Sequence, residues 1–389
     1  MAKVIIIQRT LKFYRLPFYN FLKSKLEKAG ITLVLIYGKD DTIKFNDAEV
    51  KWGVLIRNYK INVLGSNLYF QPVLKYIHDA DLIIVEQASK LLINYYLWLL
   101  NLIGCKKLAF WGHGISLQSH NSSSFSEFVK IFMTRKVFWF YAYNNLSKRI
   151  LEDIGYPTKR ITTVNNTIDV ENILEEKKKW NEKDLIQLKE QLGIQSNNTC
   201  IFIGGMYKDK RLEFLIKSII FIKKSIPDFE FIFIGDGPDK DLIIKASYNN
   251  RWIHYVGPKN EIEKVPYFLI SKFLLNPGLV GLSIIDSFIF EVPLITTDCK
   301  LHSPEIDYLE NGINGLMIEN NITRYSSTVV DLLLNNDKRL ILVEGCKQYA
   351  KKYTMTNMVD NFYDGIVHAL NSSFTHKGKA NDGKYEKQI

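Results

Sequence analysis

Short apolar runs alternate with longer amphipathic segments along most of this sequence of 389 residues. Such alternation is typical of βαβ units, in which crossover helices join parallel strands. We therefore predict an α/β fold with two doubly wound parallel sheets. The predicted strands are residues 4–7, 33–36, 82–85, 108–110, 138–141 and 161–164 in the first half, and residues 200–203, 231–234, 253–256, 273–275, 294–296 and 316–318 in the second.

The chain length fits two domains of similar size. We predict a Rossmann-like domain over residues 1–170, then a linker rich in Glu and Lys with a surface helix over residues 171–198. A second Rossmann-like domain covers residues 199–352, and a helix over residues 353–371 returns to the first domain. The polar composition of residues 372–389 predicts a disordered tail.

The chain carries 51 basic and 41 acidic residues, a formal net charge of +10. A basic excess favours anionic partners such as phosphates or acidic lipid surfaces. No zinc-finger, RNP-like or basic-zipper pattern accompanies the charge, so we expect no nucleic-acid partner. The four cysteines are far apart and lack metal-ligand spacing, which predicts no metal site, no disulfide framework and a reducing cytoplasm. The apolar residues 91–103 are too few to span a membrane.

Two glycines end a predicted strand in the second half, and three cations follow them. In parallel α/β sheets, ligands bind beyond the carboxyl ends of the strands. Gly204 and Gly205 would let the backbone approach a ligand closely, and Lys208, Lys210 or Arg211 could neutralise a diphosphate. The alternative is a charged helix entrance that faces solvent.

Two further strand ends carry glycine turns. Gly235 and Gly237 form a GDGP turn, which is equally consistent with a turn that has no ligand contact. After the strand ending at Asn276, a glycine-containing loop leads into a helix whose first amides could bind an anion, and Asp286 lies one turn into that helix. The candidate ligand-binding residues of this loop are Gly278, Leu279, Val280, Gly281, Leu282 and Ser283.

His113 lies between Gly112 and Gly114, directly after a predicted strand of the first half. A lone histidine is more often structural, but a histidine held in a glycine turn at the carboxyl end of a strand is well placed to contact a ligand. We therefore assign His113 to the candidate active site.

These positions resemble the retaining glycosyltransferase family 4 (glycosyl transferases group 1), which has the GT-B fold of two Rossmann-like domains facing each other across a cleft. Lys210 matches the lysine of the family pattern GRLxxxKG, and residues 235–238 match its GDGP-like turn. Glu305 with residues 312–315 matches the pattern ExIxxGxNG. Residues 166–169 resemble the family's NGxD element.

Two family positions differ. The family arginine falls on Gly205, and in the E-x7-E element the first acid falls on Gly278 and the second on Asp286. The loop resembles the PGxVGL type of a subgroup of bacterial polysaccharide transferases. The resemblance implies that backbone amides of residues 279–281 replace the first acid, which in the family contacts the transferred sugar.

The resemblance also implies a mechanism and partners. Lys210, Arg211 and the start of the helix at residues 281–283 would stabilise the leaving diphosphate, Asp286 would hold the ribose, and His113 would face the donor sugar. No metal or other cofactor is expected. The implied partners are a nucleotide-sugar donor and a saccharide acceptor linked to undecaprenyl diphosphate, in O-antigen (lipopolysaccharide) or capsule biosynthesis.

Aromatic and basic residues mix in residues 11–19, and Lys23, Lys25 and Lys28 follow. This composition suits a surface that docks on anionic lipids, so we expect a cytoplasmic protein, peripheral on the inner face of the plasma membrane. The alternative is an amphipathic helix that packs on its own sheet.

Two other functions remain open on the same scaffold. A nucleotide-sugar epimerase would consume donor without acceptor, whereas a non-catalytic partner would bind nucleotide or glycan without turnover. A Rossmann dehydrogenase is disfavoured because neither half has a strand-linked GxGxxG motif.

Overall fold

The computed structural model describes residues 1–39, 48–63, 65–114 and 124–374. Two parallel sheets, each flanked by helices, confirm the predicted pair of Rossmann-like layers. Each of the twelve predicted strands corresponds to a strand of the structure. Residues 375–389, most of the predicted disordered tail, lie outside the described part of the chain. Phe374, just before them, packs against Phe138 with ring centroids 4.9 Å apart.

The first domain contains a sheet of seven parallel strands in the order β3-β2-β1-β6-β7-β8-β9 and a separate antiparallel hairpin, β4-β5. Its strands are β1 (Lys3–Gln8), β2 (Thr32–Lys39), β3 (Val54–Arg57), β4 (Tyr59–Val63), β5 (Ser66–Phe70), β6 (Leu82–Glu86), β7 (Lys107–Gly112), β8 (Trp139–Ala142) and β9 (Ile161–Thr163). Its helices are α1 (Leu16–Lys28), α2 (Leu74–Ile77), α3 (Leu92–Leu102), α4 (Ser124–Lys136) and α5 (Asn145–Asp153).

The linker forms two helices, α6 (Val170–Lys177) and α7 (Glu182–Leu192), before the six-stranded sheet of the second domain. That sheet has the order β12-β11-β10-β13-β14-β15. Its strands are β10 (Thr199–Ile203), β11 (Glu230–Ile234), β12 (Ile253–Tyr255), β13 (Phe273–Leu275), β14 (Leu294–Thr297) and β15 (Gly315–Ile318). The remaining helices are α8 (Leu212–Ser225), α9 (Lys240–Asn249), α10 (Val265–Leu269), α11 (Ser283–Phe290), α12 (Ile322–Leu334), α13 (Asn336–Ala350) and α14 (Met355–Asn371).

The last helix, α14, crosses back and packs on the first sheet beside α1. Phe362 of α14 is fully buried and contacts Phe18 of α1, Trp111 of β7 and Tyr141 of β8. Because the chain passes between the domains twice, through α6 and again before α14, the two sheets are joined at two places near the cleft.

Helix α1, proposed from its sequence as a membrane-docking segment, packs mainly on its own domain. Phe18 and Tyr19 are buried on the first sheet, and Lys25 forms an ion pair with Asp360 of α14 at 2.5 Å. Phe21 remains half exposed. This arrangement corresponds to the alternative interpretation of the segment. Within the described residues, no helix combines the length and apolar character needed to cross a bilayer.

Candidate active site

A cavity of about 540 Å³ opens between the domains, at the carboxyl ends of the second-sheet strands. Tyr14, from the loop between β1 and α1, and Ile168 form its first-domain side. Because ends of parallel strands and helix N-termini meet at this edge, it is the expected ligand site of such a sheet. The predicted site residues that line the cavity are Gly204, Gly205, Gly235, Leu282, Ser283 and Asp286.

The glycines of the two neighbouring turns allow close packing of backbone. A Cβ at Gly235 would lie 1.9 Å from the carbonyl oxygen of Gly204, and a Cβ at Gly237 would lie 2.3 Å from that of Met206. Both glycines have positive φ angles, which other residues rarely adopt. The GDGP turn therefore shapes the cavity wall, and Gly237 does so without lining it.

The loop between β13 and α11 lies directly on the turn that carries Lys210. A Cβ at Gly278 would lie 2.2 Å from the carbonyl oxygen of Asp209, so no side chain fits there without a shift of backbone. The Leu279 amide donates to that same Asp209 oxygen at 2.8 Å. The glycine at position 278 thus allows the close packing of these two loops.

His302 and Ser303 hold the same loop from the other side. The Val280 amide donates to His302 Nδ1 at 3.3 Å, while the Val280 carbonyl accepts from the backbone amide and the hydroxyl of Ser303. The amides of Leu279 and Val280 are therefore engaged within the protein. This corrects the expectation that they contact a transferred sugar; of the three proposed amides, only that of Gly281 is left for this role.

Lys210 is a buried cation beside the cavity. It ends a 3-10 turn, Lys208–Lys210, after β10, and its Nζ donates to the Leu279 carbonyl at 2.5 Å. Burial lowers the pKa of Lys210 to about 8, although the carboxylates of Glu305 and Asp209 oppose this shift. An ammonium with this burial and a single hydrogen bond retains two N–H donors for a ligand.

Like Lys210, the other two predicted cations are not among the residues that line the cavity. Arg211 donates to the Pro277 carbonyl at 3.1 Å, to Thr297 Oγ1 at 2.9 Å and to Asn320 Oδ1 at 2.6 Å. Its guanidinium thus ties together the loops after β13, β14 and β15, and Lys208 is exposed. Arg211 therefore holds the loops around the site, and Lys210, whose Nζ is 3.6 Å from a Cβ built on the lining residue Gly204, reaches the cavity wall. The ligand-binding roles of Lys208 and Arg211 stay predictions.

Asp286, on the first turn of α11, has a partner that the sequence did not predict. Its Oδ1 lies 2.6 Å from Nζ of Lys264, and both side chains are about 5% exposed or less. Burial raises the pKa of the Asp286 carboxyl to about 7, although the Lys264 ammonium opposes the rise. Both residues line the cavity, so a ligand hydroxyl would meet an ion pair instead of a lone carboxylate. The Ser283 hydroxyl is buried there without a hydrogen-bond partner among the described residues.

His113 lies on the first-domain wall of the cleft, just after β7. Its ring packs edge-on against Tyr143 with centroids 4.2 Å apart, and its buried Nδ1 has no hydrogen-bond partner among the described residues. Burial lowers the pKa of His113, although the charge of Glu305 opposes this shift. The imidazole is therefore neutral near pH 7.

Glu305 connects the two walls. It lies on the turn Pro304–Tyr308 of the second domain and is 5% exposed. Asn166, at the end of the first domain, donates to Glu305 Oε1 at 3.1 Å, and Ser303 Oγ, whose one proton is shared between the Val280 carbonyl and this carboxylate, lies 2.6 Å from Oε2. Its charge acts on both His113 of the first domain and Lys210 of the second.

Sequence reasoning did not predict three residues of the site: Lys264, His302 and Ser303. Lys264 comes just before a short helix and has no motif around it. His302 and Ser303 precede the matched Glu305, so the motif indicated the region but not their bonds to the Val280 backbone.

Part of the chain is similar to known glycosyltransferases. Residues 197–335 match the family model described as Glycosyl transferases group 1. The alpha-monoglucosyldiacylglycerol synthase of Acholeplasma laidlawii is 26% identical over 152 residues, 37% of each chain. An uncharacterized glycosyltransferase of Methanocaldococcus jannaschii is 28% identical over 171 residues, 42% of this chain and 46% of its own. The chain thus spans less than half the length of these relatives.

Solved structures cover nearly the whole chain. The structure of HepE from Anabaena in complex with UDP has a TM-score of 0.71 and 13% identity, covering 94% of this chain and 100% of its own. The lipopolysaccharide outer core galactosyltransferase WaaB has a TM-score of 0.65 and 13% identity over 94% and 99% of the two chains. The predicted GT-B fold is confirmed.

Proposed function

We propose that the protein is a retaining glycosyltransferase that transfers a sugar from a nucleotide-sugar donor. The observation that carries this proposal is the buried Lys210 beside an interdomain cavity, within the segment that matches the glycosyl transferases group 1 model. The cation at the end of β10 and the N-terminus of α11 lie at neighbouring strand ends. Together they supply the positive potential that a diphosphate requires.

The diphosphate is the leaving group of the proposed reaction. As the bond between the anomeric carbon and the β-phosphate oxygen breaks, negative charge grows on the phosphate while the sugar becomes oxocarbenium-like. The Lys210 ammonium, the Ser283 amide and the positive end of the α11 dipole stabilise that charge, since the Ile284 and Ile285 amides already donate to the Gly281 and Leu282 carbonyls. Such fixed electrostatics is commonly the largest contribution to catalysis. Lys210 is held in place by its bond to the Leu279 carbonyl, so little reorganisation is needed.

Asp286 and Lys264 together form the nucleoside end of the site. Asp286 accepts from a ribose hydroxyl, while Lys264 keeps the carboxyl from being left buried without a partner. His113 faces the sugar from the first domain. As a neutral imidazole it has one N–H donor and one acceptor, which suits a sugar hydroxyl.

The donor nucleotide is proposed to be UDP, because the similar HepE structure contains UDP. The acceptor is proposed to be a lipid-linked saccharide on the inner face of the plasma membrane, linked to undecaprenyl diphosphate in a bacterial surface-polysaccharide pathway. A named relative acts in glucosyldiacylglycerol synthesis, and a structural neighbour is a lipopolysaccharide transferase. The net charge of +10 fits an anionic membrane surface.

A second candidate is a non-catalytic nucleotide-binding partner. The glycines at positions 205 and 278 favour it, because they stand where the family carries an arginine and an acid. Such a protein would bind donor through the same cavity without turnover.

Calorimetric titration with UDP, GDP, dTDP and CMP sugars tests the proposal. One nucleotide should bind, and Lys210→Met should weaken it at least tenfold while Lys217→Met, on the exposed face of α8, leaves it unchanged. Hydrolysis or transfer of the bound sugar, followed by product NMR, then separates enzyme from non-catalytic partner. Absence of binding by every nucleotide would refute both candidates.

A further inference from the structure

Arg15 ends the loop between β1 and α1, and its guanidinium is enclosed by aromatic rings. Its central carbon lies 4.6 Å from the ring centroid of Trp111, 5.3 Å from that of Tyr14 and 5.7 Å from that of Tyr143. The side chain is 8% exposed, yet Nη1 has no hydrogen-bond partner among the described residues. A guanidinium stays charged in proteins, so this is a buried cation with an unused donor.

The rings around Arg15 do not neutralise it. Burial raises the pKa of Tyr19 and of Tyr143, so both phenols stay protonated near pH 7. The charge of Arg15 acts on the Glu86 carboxyl, but burial raises the pKa of Glu86, and its Oε1 accepts the Arg9 amide at 3.3 Å. No ion pair joins Arg15 to a carboxylate in the described part of the chain. Leaving a buried charge without such a partner is unfavourable for folding alone.

Arg15 lies on the first-domain wall of the cleft. Tyr14, the adjacent residue, lines the cavity, and Tyr143 contacts both Arg15 and His113. Three further buried atoms of this cluster lack hydrogen-bond partners among the described residues: Tyr19 Oη, Trp111 Nε1 and His113 Nδ1. A group of unsatisfied polar atoms at a cleft is expected where a ligand completes the hydrogen bonds.

The second domain is short of positive charge for a diphosphate. Gly205 stands at the position of the family arginine, and Arg211 uses its donors on neighbouring loops. The other buried cation at the cavity, Lys264, is paired with Asp286, so Lys210 is the one buried lysine of the described second-domain residues that is not paired with a carboxylate. We propose that Arg15 is a phosphoryl-binding residue, contributed by the first domain across the cleft. This inference rests on the proposed transferase function and adds a binding residue to it.

Two sources could supply the phosphoryl group. One is the diphosphate of the donor, in which case Arg15 takes the place of the arginine lost at position 205. The other is a phosphate of the acceptor, in which case Arg15 positions the acceptor on the first domain. The forked guanidinium suits either, because two N–H groups can bond two phosphoryl oxygens.

Arg15→Met and Arg15→Lys test the proposal, with Arg15→Met retaining the volume of the stem without the charge. Arg251→Met, exposed on the second domain, is the matched control. Calorimetry measures binding of UDP and of uridine, and then of inorganic phosphate to the UDP-saturated protein. Thermal unfolding without ligand is recorded for each variant.

If Arg15 binds the donor diphosphate, Arg15→Met weakens UDP at least tenfold and leaves uridine unchanged. If it binds an acceptor phosphate, UDP binding is unchanged and phosphate no longer binds the UDP-saturated variant. In both cases the unfolding temperature does not fall, Arg15→Lys retains part of the affinity, and Arg251→Met matches the wild type.

The proposal is overturned if Arg15→Met binds UDP and phosphate as the wild type does. It is also overturned if the variant loses uridine as strongly as UDP and unfolds at a lower temperature, since Arg15 is then structural. If the wild type binds no nucleotide, the proposed function fails, and the phosphoryl-binding role of Arg15 is tested with inorganic pyrophosphate alone. Loss of pyrophosphate binding in Arg15→Met then supports that role, and binding equal to that of the wild type refutes it.

Discussion

Lys264→Met removes one half of the buried ion pair beneath the cavity. Lys264 and Asp286 lie 2.6 Å apart with almost no exposure, so the variant leaves the Asp286 carboxyl without its counter-ion. Removal of one partner from a buried pair costs about 3–5 kcal/mol of unfolding free energy. Here the cost depends on pH, because Asp286 can take up a proton instead of remaining charged.

The direction of this pH dependence follows from the pKa of Asp286. An unfolded aspartate titrates near 4, whereas Asp286 in the folded protein titrates at about 7 and is neutral below that pH. Removing the opposing Lys264 ammonium raises the folded pKa further. Each pKa unit of that rise lowers the variant's free energy of unfolding by about 1.4 kcal/mol relative to the wild type. The full loss applies at pH values above the variant's folded pKa, and there is no loss at pH values below the wild-type folded pKa. A rise of two to three units gives about 3–4 kcal/mol.

Urea unfolding at pH 5.5 and pH 9 measures this difference. Lys264→Met should match the wild type within about 1 kcal/mol at pH 5.5 and lose about 2–3 kcal/mol at pH 9, because pH 9 is only two units above the wild-type folded pKa of Asp286. The double variant Lys264→Met/Asp286→Leu should recover most of the loss, because no buried charge remains. Lys245→Met, exposed on α9, is the control. A loss that is equal at both pH values, or a double variant as unstable as the single one, would refute the reasoning.

Three further predictions concern the site itself. Donor affinity should fall by about tenfold between pH 7 and pH 9, because Lys210 loses its charge as the pH rises through its pKa of about 8. Calorimetry should show this pH dependence of the affinity in the wild type and not in Lys210→Met. His113→Ala should lower turnover more than donor affinity, and near-normal turnover would make His113 a structural residue. Gly278→Ala places a Cβ 2.2 Å from the Asp209 carbonyl, so it should lower the free energy of unfolding in urea by about 1–3 kcal/mol. Gly281→Ala is the control: its Cβ meets only Ser303 Oγ, at 3.8 Å, so its stability should not change. An unaltered Gly278→Ala protein would show that the two loops are not packed as described.

Most of the strands that the sequence predicted are largely buried; the shorter edge strands β9, β12 and β15 are only partly so. Strands such as β1 and β10 are nearly continuous apolar runs, which is typical of parallel strands covered on both faces. The strands that were missed, β3 and the hairpin β4-β5, lie at the sheet edge or outside it, and β4 is exposed at every residue. Their sequences carry little of the burial signal on which such predictions depend.

The site was predictable where a residue acts through its position in a motif. Lys210 and Asp286 follow strand ends or open helices, so local pattern placed them at the cavity edge. Arg211 shows the limit of this reasoning, because the left-handed backbone at Arg211 turns its side chain toward Thr297 and Asn320. Lys264 is a site residue that local pattern could not identify. It pairs with Asp286, which is 22 positions away in sequence, and only tertiary packing brings the two together.

The glycine at position 278 and the position of Lys210 are linked by geometry. Because Gly278 lacks a side chain, the loop packs onto the backbone of Asp209 and Lys210, and this contact brings the Leu279 carbonyl to Lys210 Nζ. A carbonyl dipole holds the ammonium in position without neutralising it, whereas a carboxylate at this point would form an ion pair with it. The charge of the buried lysine is therefore available to an anionic ligand. Because the site is buried, the pKa of Lys210 is lowered to about 8.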